Sequence, residues 1–164
     1  MSESFLRGPP LNSTPFTLGE IVDANTEIPF PNLELNTPPE GLVNTSSGSA
    51  VGSSDSEHFI NVQAAIIDPM DRLWVLDNGR PVVSGDTLPG ALGGPKLMGF
   101  DINHNVSTPF TTITFPPNVL PALGYLNDVR FDFRSNLTKA GKGVAYIADS
   151  GRLLRQLHPV SVRG

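Results

Sequence analysis

VQAAIIDPMDRLWVLDNG, residues 62–79, and LNDVRFDFRSNLTKAGKGVAYIADSG, residues 126–151, decide the fold, because the second repeats the first. Each opens on a short apolar run, reaches an Asp (Asp68, Asp132), turns, and returns through a second apolar run to Asp-Asn-Gly or Asp-Ser-Gly. Asp68 and Asp132 lie 64 residues apart, and Asp77 and Asp149 lie 72 apart. The difference of 8 falls in the longer second turn, RSNLTKAGKG. Short runs rich in Val, Ile, Leu and Phe, closed by Asp, Asn, Gly and Pro, are strands joined by hairpin turns.

Outward from these hairpins the pattern continues. His58–Ile67 and Leu73–Leu76 form the first hairpin; Lys96–Ile102 follows, then the turn Asn103-His104-Asn105, then Thr111–Phe115, closed by Pro116-Pro117. Leu126–Phe133 and Val144–Ala148 begin the pattern again. A four-stranded meander that recurs with a variable loop is a propeller blade. The expected fold class is therefore all-β, a partial β-propeller with one complete four-stranded blade at 58–125 and the first hairpin of the next at 126–150. Residues 1–16 read as a weakly ordered arm. Residues 17–57 read as an extended segment with one strand, Leu18–Val22, ended at Asp23-Ala24-Asn25, and a Ser/Gly-rich loop at 44–56. The tail, 151–164, GRLLRQLHPVSVRG, fits no blade. A propeller closes on roughly four to eight blades, so the chain reads as a piece of something larger whose half-blade leaves a strand edge open to self-association.

Composition removes several function classes. The 164 residues carry a net charge of −5, without the basic stripe that nucleic-acid binding requires. No continuous apolar stretch is long enough to span a membrane, and the opening MSESFLRGPPLNSTPF lacks the apolar core of a signal peptide. There is no Cys, hence no disulfide, thiolate metal site or Cys nucleophile. Residues 1–60 hold eight acids and one base, Arg7, whereas 61–164 hold eight acids, all Asp, and ten bases. Asp favours turns and strand ends where Glu favours helices, and no amphipathic helix can be written.

The strings FINVQAAIIDPMDRLWVLDNGRP, GGPKLMGFDINHN, ITFPP, YLNDVRFDFRSNLT and GKGVAYIADS, with EIPFPNLELNTPPEG upstream, resemble the yellow / major royal jelly protein family, its fungal members in particular, over roughly residues 15 to 150. The resemblance implies a secreted, extracellular, often glycosylated propeller of six blades with a ligand site in or over its central channel. For some insect relatives it implies binding of biogenic amines or conversion of dopachrome, and for many members no reaction. The family's leader and first-blade strands are not found upstream of Phe16, which points to a truncated or misjoined reading frame.

Within a propeller the first strand of each blade lines the channel, so Asn127 and Asp128, opening the second such strand, are the leading site candidates. They also resemble the Asn-Asp of gluconolactonase-like propellers, where such groups hold a divalent metal and substrate; the alternative is that Asp128 caps backbone amides. Gln63 and Ala64 stand at the matching places of the first blade, which does not repeat a metal ligand. Asp77 and Arg80 suit a charge-assisted pair at the channel mouth; alternatively Asp77 and Asp149 close equivalent hairpins, and their recurrence favours this structural role. Arg130 alternates with Val129 and Phe131 and is expected to pair with Asp128 or Asp132. Trp74 reads as core between blades. His58, His104 and His158 lack zinc spacing, and neither Gly141/Gly143 nor Gly93–Lys96 forms a nucleotide loop. Asn12, Asn44, Asn105 and Asn136 begin Asn-x-Ser/Thr triplets in loops or turns.

The leading reading is a fragment of a secreted propeller whose parent binds a small amine or aromatic ligand, with no reaction assigned and no cofactor. A metal-dependent lactone hydrolase, needing a divalent ion such as calcium, is the second reading. An extracellular interaction protein without a small-molecule site is the third.

Overall fold

The computed structural model describes residues 16–38, 43–44, 51–52, 54–83, 85–139, 141–151 and 156–161. The expected arm at 1–16 lies outside them except for Phe16. Thirteen strands and no helix occur among the described residues: β1 (Gly19–Asp23), β2 (Thr26–Pro29), β3 (Val43–Asn44), β4 (Val51–Gly52), β5 (Val62–Ile67), β6 (Arg72–Asp77), β7 (Val82–Val83), β8 (Asp86–Thr87), β9 (Lys96–Asp101), β10 (Thr111–Thr114), β11 (Leu126–Asp132), β12 (Val144–Asp149) and β13 (Gln156–Ser161). One sheet has the order β10-β9-β6-β5, an antiparallel meander of four strands, and a second has the order β11-β12-β13. The chain is thus all-β, with one complete propeller blade and three strands of its neighbour.

The blade is buried on both faces, and the two-residue period of its strands sorts the side chains. Trp74 and Leu76, with Ala64 and Leu97, pack against Leu126, Val129, Ala145 and Ile147 of the second sheet. Leu73 and Val75, with Val62, Ala65, Met98 and Phe100, pack on the opposite side against Leu18, Leu35 and Phe59. Trp74 carries the junction between the sheets: its ring lies 5.2 Å from Phe131 and 5.5 Å, edge-on, from Phe110. At the far end of the hairpin its indole N–H donates to Asp68 at 2.9 Å, and Arg72 Nε donates to the same carboxylate at 2.7 Å. Burial pushes the Asp68 carboxyl up, but these bonds and the backbone amides of Arg72 and Met70 outweigh it and hold the group below the usual carboxylate range.

The Asp residues act as strand terminators at both ends of the sheets. Asp77 Oδ1 accepts from Asn61 N and Gly79 N, each at 2.8 Å, and Asn78 N donates to Asn61 O at 2.9 Å. In the second sheet Asp149 Oδ1 accepts from Tyr125 N at 2.7 Å and Gly151 N at 2.8 Å, and Ser150 N donates to Tyr125 O at 2.8 Å. The same clasp therefore ties the end of each blade's second strand to the chain entering its first. In the first copy the second carboxylate oxygen is placed as well. Asp77 Oδ2 also accepts from Ile60 N at 2.7 Å and from Lys96 Nζ at 2.9 Å, both partners of the ion pair being fully buried. Lys96 Nζ donates further to Gly94 O and Asp55 O. Gly79 completes the turn at φ 66°, where a Cβ would overlap the backbone of Gly94 and Pro95.

Four details differ from the reading of the sequence. The run after Asn25 is not simply extended: β2 pairs with β1 as a hairpin, its prolines falling at the strand end. Residues 58–61 are not strand, because the amides of Ile60 and Asn61 go to the Asp77 carboxylate rather than to a ladder. The stretch expected to be a loop, 44–56, contributes to a short ladder in which Val43–Asn44 pairs with Val51–Gly52. The tail supplies a third strand to the second sheet, Gln156–Ser161 pairing antiparallel with Val144–Asp149. Pro159 argues against a central strand, but β13 is the outer strand of its sheet, where a missing N–H is tolerated.

Asp77→Asn leaves a buried ammonium without its counter-charge and is expected to cost about 3–5 kcal/mol of unfolding free energy. Asp149→Ala, which strands the amides of Tyr125 and Gly151, is expected to cost about 2 kcal/mol. Urea unfolding measures both, and adding Lys96→Met to Asp77→Asn should recover most of the larger loss.

Candidate functional site

The innermost strands, β5 and β11, carry the same irregularity. In β5 the register steps from Val62↔Asp77 to Ala64↔Leu76, and in β11 from Leu126↔Asp149 to Asp128↔Ala148. Gln63 and Asn127 are therefore extra residues of β-bulges, without a partner across the ladder. A bulge re-aims the side chain it carries and is a common device beside binding sites. The clasp explains its position: Asp77 and Asp149 fix the strand entry one step before the bulge.

The bulge separates the sequence candidates. Asn127 is exposed and Gln63 half-buried, both outside the cross-strand pairing. Asp128 is back in the ladder, in the register place that Ala64 holds in the first blade. Its Oδ1 accepts from its neighbour's amide, Val129 N, at 2.8 Å and from Arg130 Nη1 at 2.7 Å. The Asp128–Arg130 pair is largely exposed and contributes little to stability. Arg130 stands opposite Tyr146, as Ile66 stands opposite Trp74.

Arg80 is not paired with Asp77, whose charge partner is Lys96. Its guanidinium instead collects backbone carbonyls: Nε donates to Leu88 O at 2.8 Å, Nη2 to Thr87 O at 3.2 Å, and Nη1 to Leu123 O at 3.0 Å and Gly124 O at 3.3 Å. It also lies 5.7 Å from the centre of the Tyr125 ring. Burial pulls its pKa below the usual guanidinium value, while Tyr125 and Asp149 pull it the other way. A fork that donates to four backbone carbonyls is a staple between Thr87–Leu88 and Leu123–Gly124, at the entry to the second sheet.

Two residues that the sequence reading passed over belong to this region. Asn61, 1% exposed, donates through Nδ2 to Arg80 O at 2.6 Å and accepts at Oδ1 from Gln63 Nε2 at 2.7 Å. Lys96, fully buried, neutralises Asp77. Nothing in the sequence separates Asn61 from an ordinary turn residue. Lys96 carries one signal, its place at the head of a strand that is otherwise apolar.

Among the described residues no three His, Asp or Glu side chains converge as a metal-holding group. Asp128, the one carboxylate of the expected Asn127–Asp128 set, faces an arginine. A hard cation takes six or more oxygen ligands, and these residues do not fit one. Of the glycosylation candidates, Asn105 and Asn136 are exposed in turns, Asn44 lies in β3, and Asn12 is outside the described residues.

Replacing Arg80 by Met strands four carbonyls and is expected to lower stability by about 2–4 kcal/mol, with Arg80→Lys recovering less than half because an ammonium cannot span them. Denaturant titration reads the loss, and hydrogen exchange should rise first at Tyr125 and Leu126. Wild-type stability of Arg80→Met would contradict the staple.

Residues 60–154 match the family model described as major royal jelly protein. No curated protein matches the chain.

Proposed function

The chain belongs to the major royal jelly protein family, and from that membership we propose that it acts in a secreted β-propeller which holds a small amine-bearing or aromatic ligand where the inner strands converge. The observation that carries this reading is the repeated bulge. Two consecutive inner strands each present an amide side chain, Gln63 and Asn127, released from the ladder at the same place. Around them the strong charges are consumed internally, Asp77 by Lys96 and Arg80 by carbonyls. Neutral amides, beside the exposed Asp128–Arg130 pair, suit a small polar or amine-bearing molecule held by a few hydrogen bonds. No reaction is assigned.

Titration with dopamine tests the reading. Saturable binding is expected, with a melting temperature raised by about 5–10 °C at a hundredfold excess over Kd, and with calcium chloride producing no such rise. Failure of dopamine and of catechol alike to bind would overturn it and favour an extracellular interaction protein.

Secretion carries a second expectation. When the chain is passed through a eukaryotic secretory pathway, Asn105 and Asn136, exposed in Asn-Val-Ser and Asn-Leu-Thr triplets, should take N-glycans. Endoglycosidase should then lower the mass, and Asn105→Gln and Asn136→Gln should each reduce that loss by one glycan. A product of unchanged mass would contradict this.

A further inference from the structure

We infer that Gln63 Oε1 is a pre-oriented acceptor for the protonated amine of the ligand, an inference that rests on the ligand-binding reading above and names the residue that gives it chemical preference. Arg80 O can only accept, so the Asn61 side-chain atom 2.6 Å from it must be the amide nitrogen. That turns Asn61 Oδ1 toward Gln63, and the Gln63 atom 2.7 Å away must in turn be its nitrogen, Nε2. Two amides whose orientations are ordinarily interchangeable are thus fixed in sequence by one carbonyl.

Gln63 is left with one outward atom of known chemistry. Its Oε1 has no protein donor among the described residues, and the side chain is only half-buried. It sits on the bulge of an innermost strand and is backed by a relay whose members are buried: Asn61 is 1% exposed and Arg80 8%. An acceptor held in place before binding saves the ordering cost that a free side chain incurs. The second blade lacks the device. Tyr125 stands where Asn61 would, so Asn127 has no amide behind it to set its orientation. The two bulges are equivalent in backbone and unequal in recognition.

The chemistry of the partner follows. An anion would meet a carbonyl oxygen with nearby cations already spent, whereas an ammonium finds an acceptor in a chain of net charge −5. A hydrogen bond to a charged group exceeds a neutral one in strength, so the acceptor discriminates between an amine and its deaminated analogue.

The test compares dopamine with catechol on the intact chain and on Gln63→Met, which keeps length and removes the acceptor, with Gln63→Leu as a second variant should Met refill the site. The expected result is a loss of about tenfold or more in dopamine affinity with catechol affinity unchanged. Equal losses for both probes, or none for either, in variants that melt as the wild type would overturn the assignment of Gln63 while leaving the ligand-binding reading in place. Failure of the wild type to bind either probe would overturn both.

Discussion

The carboxylate of Asp77 is the constraint on which the rest of the molecule depends. It is fully buried, takes three backbone amides and an ammonium, and so fixes at one point the end of β6, the chain entering β5, the turn at Gly79 and the head of β9. A buried carboxylate is tolerated only when every lone pair is used and its charge is met, and here both conditions hold. The consequence is positional. With the entry to β5 pinned, the extra residue of the strand falls at Gln63, and the second copy of the clasp places Asn127 in the same way.

The repeat also exposes a difference between the blades. The face of β5 and β6 that receives the second sheet is built from Ala64, Ile66, Trp74 and Leu76. The register places Asp128, Arg130, Tyr146 and Ala148 at the same positions of β11 and β12. An apolar layer in one blade is matched by an ion pair and a phenol in the next. The first layer is closed by Trp74 against Phe131, whereas the second is exposed at Arg130 and Tyr146.

The strands, their order in the first blade and the repeat were legible because alternating apolar residues and Asp-bounded turns are local signals. The structural role of Asp77 and Asp149 was legible from recurrence, since the same residue type returned at the same point of the repeat. The bulges were not, because Gln63 and Asn127 look like ordinary alternating positions until the register is known. Arg80 reads as an available cation because its partners at residues 87–88 and 123–124 are backbone carbonyls, which carry no side-chain signature. Lys96 stands at the head of an apolar strand, but its pairing with Asp77, 19 residues away, becomes visible only once β6 and β9 are side by side. Pro159 and the prolines after Asn25 hid strands that the sheets accept at their margins.

That the two sheets pack as consecutive blades across the Trp74 layer is the claim beneath both the fold and the site. Nuclear Overhauser spectra of the labelled chain test it most directly. The account predicts cross-peaks from the Trp74 ring to Phe131, and from the Leu76 and Leu97 methyls to those of Leu126, Val129 and Ile147. Cross-peaks confined within each sheet, with the Trp74 ring in contact with its own blade alone, would contradict it.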